Sequence, residues 1–192
     1  MNILILNGSP RSNGKVSTLL HYAESIFKEN EHTVDYIDVC SINFSCCKGC
    51  MACRTKGTCM LPQDDAHIIE NKITKCDLLI VGTPVYWGNM NGRLKCLFDR
   101  LVGVMMAESK YGIPIPLHKN KKAMVVIACT TPFPFNIFAG QSTKAFTAIR
   151  EILHYSGFKI TGKIILAGTK EMKKIPDKFF AKVKRIVNKM CL

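Results

Sequence analysis

The sequence predicts an α/β fold: a doubly wound, five-stranded parallel sheet in the order 2-1-3-4-5. Three observations lead there. Short apolar runs alternate with segments of helical periodicity along the whole chain. The runs are continuously apolar, as strands covered on both faces are. A Gly/Ser-rich turn follows the first run, where open α/β sheets bind ligands at the carboxyl ends of their strands.

Residues 2–7 (NILILN) are a short apolar run ending in a turn, hence a buried strand. Val16, Leu19, Leu20, Ala23, Ile26 and Phe27 then recur at helical spacing. Residues 32–39 (HTVDYIDV) alternate and are β-branched, a second strand, and residues 40–61 read as a cysteine-bearing loop. Pro62 is expected to open a helix with Ile68, Ile69 and Ile73 on one face. Residues 77–82 (DLLIVG) are a third strand, and Leu94, Leu97, Phe98, Leu101 and Met105 mark one helix. Residues 108–120, with Gly112, Pro114 and Pro116, read as a loop. A fourth strand covers residues 123–129, and a helix carries Ala145, Phe146, Ile149, Ile152 and Leu153. A fifth strand lies within residues 158–167. The last helix has its stripe at Phe179, Phe180, Val183, Ile186, Val187 and Met190.

With 192 residues, 47% hydrophobic and 21% charged, the chain suits one globular domain, and no repeat or linker divides it. No apolar run approaches the ~20 residues that span a bilayer. The first residues lack the basic segment of a signal peptide, so a cytoplasmic location with reduced thiols is expected. The formal net charge is +13, and residues 159–192 hold ten Lys/Arg against Glu171 and Asp177. That excess reads as a solvated surface, or as a face for an acidic partner. Neither nucleic acid nor membrane is expected, since aromatic–Arg interleaving and helix-turn-helix patterning are missing.

Residues 8–20 (GSPRSNGKVSTLL) join the first strand to the first helix. A helix N-terminus there offers unpaired N–H groups and partial positive charge, which suits a phosphate. Gly8 and Gly14 allow tight turning. Ser9, Ser12, Ser17 and Thr18 supply hydroxyls, and Arg11 and Lys15 supply charge. The loop is neither a Walker A sequence nor the G-x-G-x-x-G fingerprint. A plain polar βα turn is the alternative. After the third strand, Pro84, Val85, Tyr86, Trp87, Gly88 and Asn89 form a turn bearing the only tryptophan. In the 2-1-3-4-5 order this turn and the phosphate loop meet at one crevice. Its aromatics suit the border of a flat ring, or a lid on the core.

These two motifs, Gly-Ser-Pro-Arg…Gly and Thr-Pro-Val-Tyr-x-Gly-x-x-x-Gly-x-Leu-Lys-x-x-x-Asp-Arg, resemble those of the flavodoxin-like NADPH-dependent FMN reductases and iron–sulfur flavoproteins. The match covers roughly residues 1–105. The resemblance implies FMN, with its phosphate at residues 9–18 and its isoalloxazine against residues 84–89, and with Thr130 in the third bordering loop. Lys15-Val16 stands where the family often has Asn-Thr, so phosphate binding is expected to lean on backbone N–H groups, Ser17 and Lys15.

Cys47, Cys50, Cys53 and Cys59 have the spacing C-x2-C-x2-C-x5-C. Four thiolates suit a [4Fe–4S] cluster or structural zinc, and three so closely spaced favour the cluster. The spacing resembles the compact motif of the iron–sulfur flavoproteins. Cys46 is then an extra thiol. Cys40, Cys76, Cys96, Cys129 and Cys191 read as ordinary core or surface residues.

The leading expectation is an FMN-dependent electron-transfer oxidoreductase that also carries a [4Fe–4S] cluster. NAD(P)H or ferredoxin would be the donor and a small molecule the acceptor. No residue is singled out as catalytic, and His67, His118 and His154 are expected to be structural or on the surface. The resemblance also implies a homodimer or homotetramer. A cluster-free NAD(P)H-dependent FMN or quinone reductase is the alternative within the fold, and a zinc-knuckle RNA-binding protein the alternative outside it.

Overall fold

The computed structural model describes residues 1–191. Five parallel strands form the main sheet: β1 (Asn2–Asn7), β2 (Thr33–Asp38), β3 (Leu78–Pro84), β6 (Lys122–Ala128) and β7 (Lys159–Leu166), ordered β2-β1-β3-β6-β7. In chain order this is the expected 2-1-3-4-5. The three central strands are almost wholly buried, because both their faces are covered.

Helices α1 (Lys15–Glu29) and α8 (Asp177–Cys191) cover one face. Val16, Leu19, Leu20, Ala23, Val183, Val187 and Met190 pack there against Ile3, Ile5, Ile80 and Val126. Helices α3 (Asp65–Lys75), α4 (Gly92–Arg100) and α7 (Gln141–Ser156) cover the other. Ile69, Ile73, Leu94, Leu97, Ile149 and Leu153 meet Leu4, Leu6, Val81 and Val125. Among the described residues no helix is long and apolar enough to cross a membrane.

Several sequence expectations are corrected. Pro62 does not open a helix. Asp64 does, as the N-cap of α3, its carboxylate accepting the Ala66 N–H at 3.1 Å. A carboxylate can satisfy first-turn donors, whereas proline lacks the side-chain acceptor. The single helix expected around residues 94–105 divides at Leu101 into α4 and α5 (Val102–Met105). The expected loop at 108–120 contains a strand, β5 (Pro114–Pro116), which pairs antiparallel with β4 (Met106–Glu108). Two further turns of helix, α2 (Cys53–Lys56) and α6 (Phe135–Phe138), are too short to show helical periodicity.

Candidate functional site

Parallel strands place their carboxyl ends together, so the loops after β1, β3 and β6 share one edge of the sheet. Two backbone bonds lock them in order: Gly8 N–H to Gly82 C=O at 2.7 Å, and Val85 N–H to Ala128 C=O at 2.8 Å. A Cβ at Gly8 would stand 3.1 Å from the Gly82 carbonyl and 2.9 Å from Leu94 Cδ2, so close approach requires glycine here.

The loop after β1 is organised from below by Asn7, which is fully buried. Its Nδ2 donates to Ser17 Oγ at 2.9 Å and to Asp38 Oδ1 at 2.7 Å, and its Oδ1 accepts the Ser9 N–H at 3.0 Å. Sequence reading took Asn7 only as a strand end. A polar residue closing an otherwise apolar strand was the signal. Gly14 caps α1 with no side-chain acceptor, and the first intrahelical bond is Thr18 N–H to Gly14 C=O at 2.8 Å. The N–H groups of Lys15, Val16 and Ser17 therefore have no intrahelical partner at the positive helix end, as an anion site requires.

The side chains divide into two sets. Arg11, Ser12 and Lys15 reach solvent around that end. Ser9, Ser17 and Val16 are buried. Ser17 spends its one hydroxyl proton on the Arg11 carbonyl at 2.7 Å. Ser9 Oγ donates to the same carbonyl and accepts the Arg11 N–H, each at 3.2 Å. The Thr18 hydroxyl bonds back to Gly14 C=O at 3.0 Å. Ser17 was expected to contact phosphate through its hydroxyl; it braces the loop instead, and only its N–H is left to an anion. Val16 likewise offers only its N–H.

After β3, Tyr86 and Asn89 exchange two backbone bonds of 2.9 Å, closing a two-residue hairpin. Both residues at its tip have positive φ, Trp87 at 52° and Gly88 at 70°. Trp87 is fully exposed at the tip, and Tyr86 is half-exposed. Neither is a lid on the core. A large aromatic held in the left-handed region and in water is disfavoured twice over, and such positions concentrate at binding sites. Pro84 and Val85 line the strand end beneath, and Asn89 turns its Oδ1 onto the Met90 N–H at 2.8 Å. Thr130 is exposed at the end of β6. Beyond it Phe133, Phe135, Ile137 and Phe138 form an exposed apolar patch.

The cysteine loop follows β2 and lies over α4 and α5. Cys47, Cys50, Cys53 and Cys59 line one cavity of ≈ 350 Å³ with Arg54, Asp99 and Arg100. Among the described residues, no three His, Cys, Asp or Glu side chains converge tightly enough to hold a single metal ion. Packing brings α2 down onto α5 through Gly103, where a Cβ would lie 3.0 Å from both the Cys53 Cβ and its carbonyl. Arg54 ties α2 to Glu108 at 3.2 Å.

The centre of this region is Arg100, whose side chain is fully buried. Its Nε donates to Cys59 Sγ at 3.0 Å. One terminal nitrogen donates to the Ser45 carbonyl and Asp64 Oδ2, both at 2.7 Å, and the other to Asp64 Oδ1 at 3.0 Å. Burial pushes the Asp64 carboxyl up, but Arg100 and the Ser45 and Ala66 N–H groups outweigh it and hold it below the ordinary carboxylate range. Cys59 is also held by its backbone. Its N–H donates to Glu70 at 2.9 Å, and its carbonyl accepts from His67 Nε2 at 3.1 Å. His67 Nδ1 lies 3.1 Å from both the Asp64 backbone nitrogen and Asp64 Oδ1. Arg100 had entered the sequence reading only as a motif letter, because its partners lie 36 and 41 residues away. His118, also structural, is buried against Phe158 and bonded to the Val104 carbonyl at 2.8 Å.

Arg93 completes the frame by donating to the Phe44 and Ile42 carbonyls at 3.0 and 2.9 Å and stacking on Phe44. Cys40 joins the two regions, its Sγ lying 3.7 Å from the Gly8 carbonyl and 3.9 Å from Asn91 Oδ1.

Comparison with known proteins agrees with this architecture. A family model described as flavodoxin-like fold matches residues 1–190. An iron-sulfur flavoprotein of Methanosarcina thermophila is 30% identical, over 84% of this chain and 78% of its own length. An iron-sulfur flavoprotein of Clostridioides difficile is 28% identical over 98% of this chain and 77% of its own. In fold, the chain is similar to an FMN-dependent NADH-azoreductase of Bacillus anthracis solved with FMN. The TM-score is 0.77 at 11% identity, with full coverage of both chains.

Proposed function

The chain belongs to the flavodoxin-like family and stands with its iron–sulfur flavoproteins, and from that premise we propose an FMN-dependent electron-transfer oxidoreductase that also carries a [4Fe–4S] cluster. The observation that carries the proposal is the cysteine cavity. Four thiols line one space, and Cys59 is already oriented there by a buried guanidinium. Three cysteines in C-x2-C-x2-C spacing with a fourth close behind suit a cluster, whose iron atoms are separate ligand points.

The residues fit FMN as well. Three N–H groups without intrahelical partners at the start of α1, with Arg11, Ser12 and Lys15 around them, suit its phosphate. Pro84 to Asn89 suit its ring, with Trp87 exposed at the hairpin tip. Thr130 borders the third side. FMN supplies two-electron and one-electron chemistry, and the cluster one-electron chemistry. The protein's part would be to bind FMN at the strand ends and to keep Cys59 fixed through Arg100, Glu70 and His67. No side chain acts as nucleophile, acid or base in this reading. NAD(P)H or ferredoxin would deliver the electrons and a small molecule would accept them. The exposed Phe133, Phe135 and Phe138 patch supports a homodimer or homotetramer, since contiguous apolar surface of this kind marks contacts.

The test is iron and acid-labile sulfide per chain, with an absorption spectrum, on protein reconstituted without oxygen. About four of each beside one FMN is expected. Iron near zero, with full FMN and NADPH turnover, would overturn the cluster and leave a plain flavin reductase.

A further inference from the structure

Cys46 and Cys96 are 50 positions apart in the chain, yet their Sγ atoms stand 2.7 Å from each other. Cys46 is exposed and Cys96 partly so, which leaves the pair open to small molecules in solution. Neither lines the four-cysteine cavity. Cys96 lies one helical turn before Arg100 on α4, so both point to the same side. One face of α4 therefore grips the cysteine loop twice: Arg100 at the Ser45 carbonyl and Cys59 Sγ, and Cys96 at Cys46.

We propose that Cys46 and Cys96 are a reversible redox dithiol, oxidised to a disulfide by a low-molecular-weight disulfide such as oxidised glutathione. One cysteine thiolate attacks the S–S bond of the oxidant, releases one small thiol and forms a mixed disulfide. The other thiolate attacks the protein sulfur of that mixed disulfide and releases the second. The two protein thiols lose two electrons and two protons, and the oxidant gains them as two thiols. The new bond ties residue 46, next to Cys47, to α4 and closes the cysteine loop at its entry. The site stands on the thiol geometry and does not depend on which group the cavity holds.

The experiment equilibrates the FMN- and iron-loaded protein, without oxygen, in glutathione buffers from fully reduced to fully oxidised. Samples are quenched with a maleimide and mapped by mass spectrometry. The expected result is a Cys46–Cys96 linked peptide that replaces two alkylated thiols as the buffer becomes oxidising. Cys96→Ser should leave one glutathione on Cys46 under the same conditions, and a thermal melt should show that this variant is folded. Complete alkylation of both residues in oxidised buffer would overturn the proposal. So would Cys46 linked to Cys47, or wild-type Cys46 carrying only glutathione. Iron release to a chelator should be several-fold slower in the oxidised wild type and unchanged in Cys96→Ser. Equal rates in the two redox states would refute the closure of the loop.

Discussion

Arg100→Met tests the organisation of the cysteine loop directly. Methionine replaces the stem of the arginine and removes the guanidinium. Four hydrogen bonds are lost, to Cys59 Sγ, the Ser45 carbonyl and both Asp64 oxygens. Removing one partner of a buried ion pair costs ~3–5 kcal/mol, because the other is left uncompensated. Asp64 keeps some solvent contact and its bonds to Ala66 and Ser45, which favours the lower end, ~3 kcal/mol. For a chain of this size that lowers the melting temperature by about 6–12 °C. The effect carries a pH signature. The folded Asp64 pKa is depressed below its unfolded value, so its contribution is fully present above the ordinary carboxylate pKa of ~3.9 and is lost as pH falls through the folded value. The gap between wild type and Arg100→Met should therefore be largest near neutral pH and shrink below about pH 4. Thermal and urea denaturation across that range measure it. Equal stability at pH 7, or a gap independent of pH, would refute the reasoning.

Two other substitutions separate the halves of the site. Arg11→Ala removes an exposed cation beside the helix end, and FMN affinity in a fluorescence titration should fall by ~1.5–3 kcal/mol, with folding unchanged. Undiminished affinity would take Arg11 out of the phosphate site. Gly103→Val puts a branched side chain against the backbone of Cys53, where even a Cβ would stand 3.0 Å from the carbonyl. Iron content should drop at least several-fold while FMN stays bound. Full iron loading would show that the α2–α5 contact does not position Cys53.

The order of the main sheet, the depth of its central strands and the helices on its two faces were legible from local pattern alone. Apolar runs and helical spacing are properties of neighbouring residues, and five such alternations leave few ways to cover both sides of a sheet. The turn residues at 8–14 and 84–89, and the spacing of Cys47, Cys50, Cys53 and Cys59, are equally local. What failed was either too short to carry a period, as in α2, α6 and the β4–β5 hairpin, or was decided at an end, as in the Asp64 cap that displaced Pro62.

Tertiary structure alone decided how those pieces serve one another. Ser17 looked like a phosphate ligand in the linear sequence, but the position of Asn7 beneath it commits its hydroxyl to the loop's own backbone. Trp87 could have closed the core or stood in water, and the hairpin between Tyr86 and Asn89 puts it in water. The link from Arg100 to Asp64 and Cys59, and the meeting of Cys46 with Cys96, join positions 36 to 50 residues apart. No local pattern encodes such a pairing. It exists because α4 packs on the sheet with one face turned toward the loop that leaves β2, and packing of that kind is a property of the folded chain as a whole.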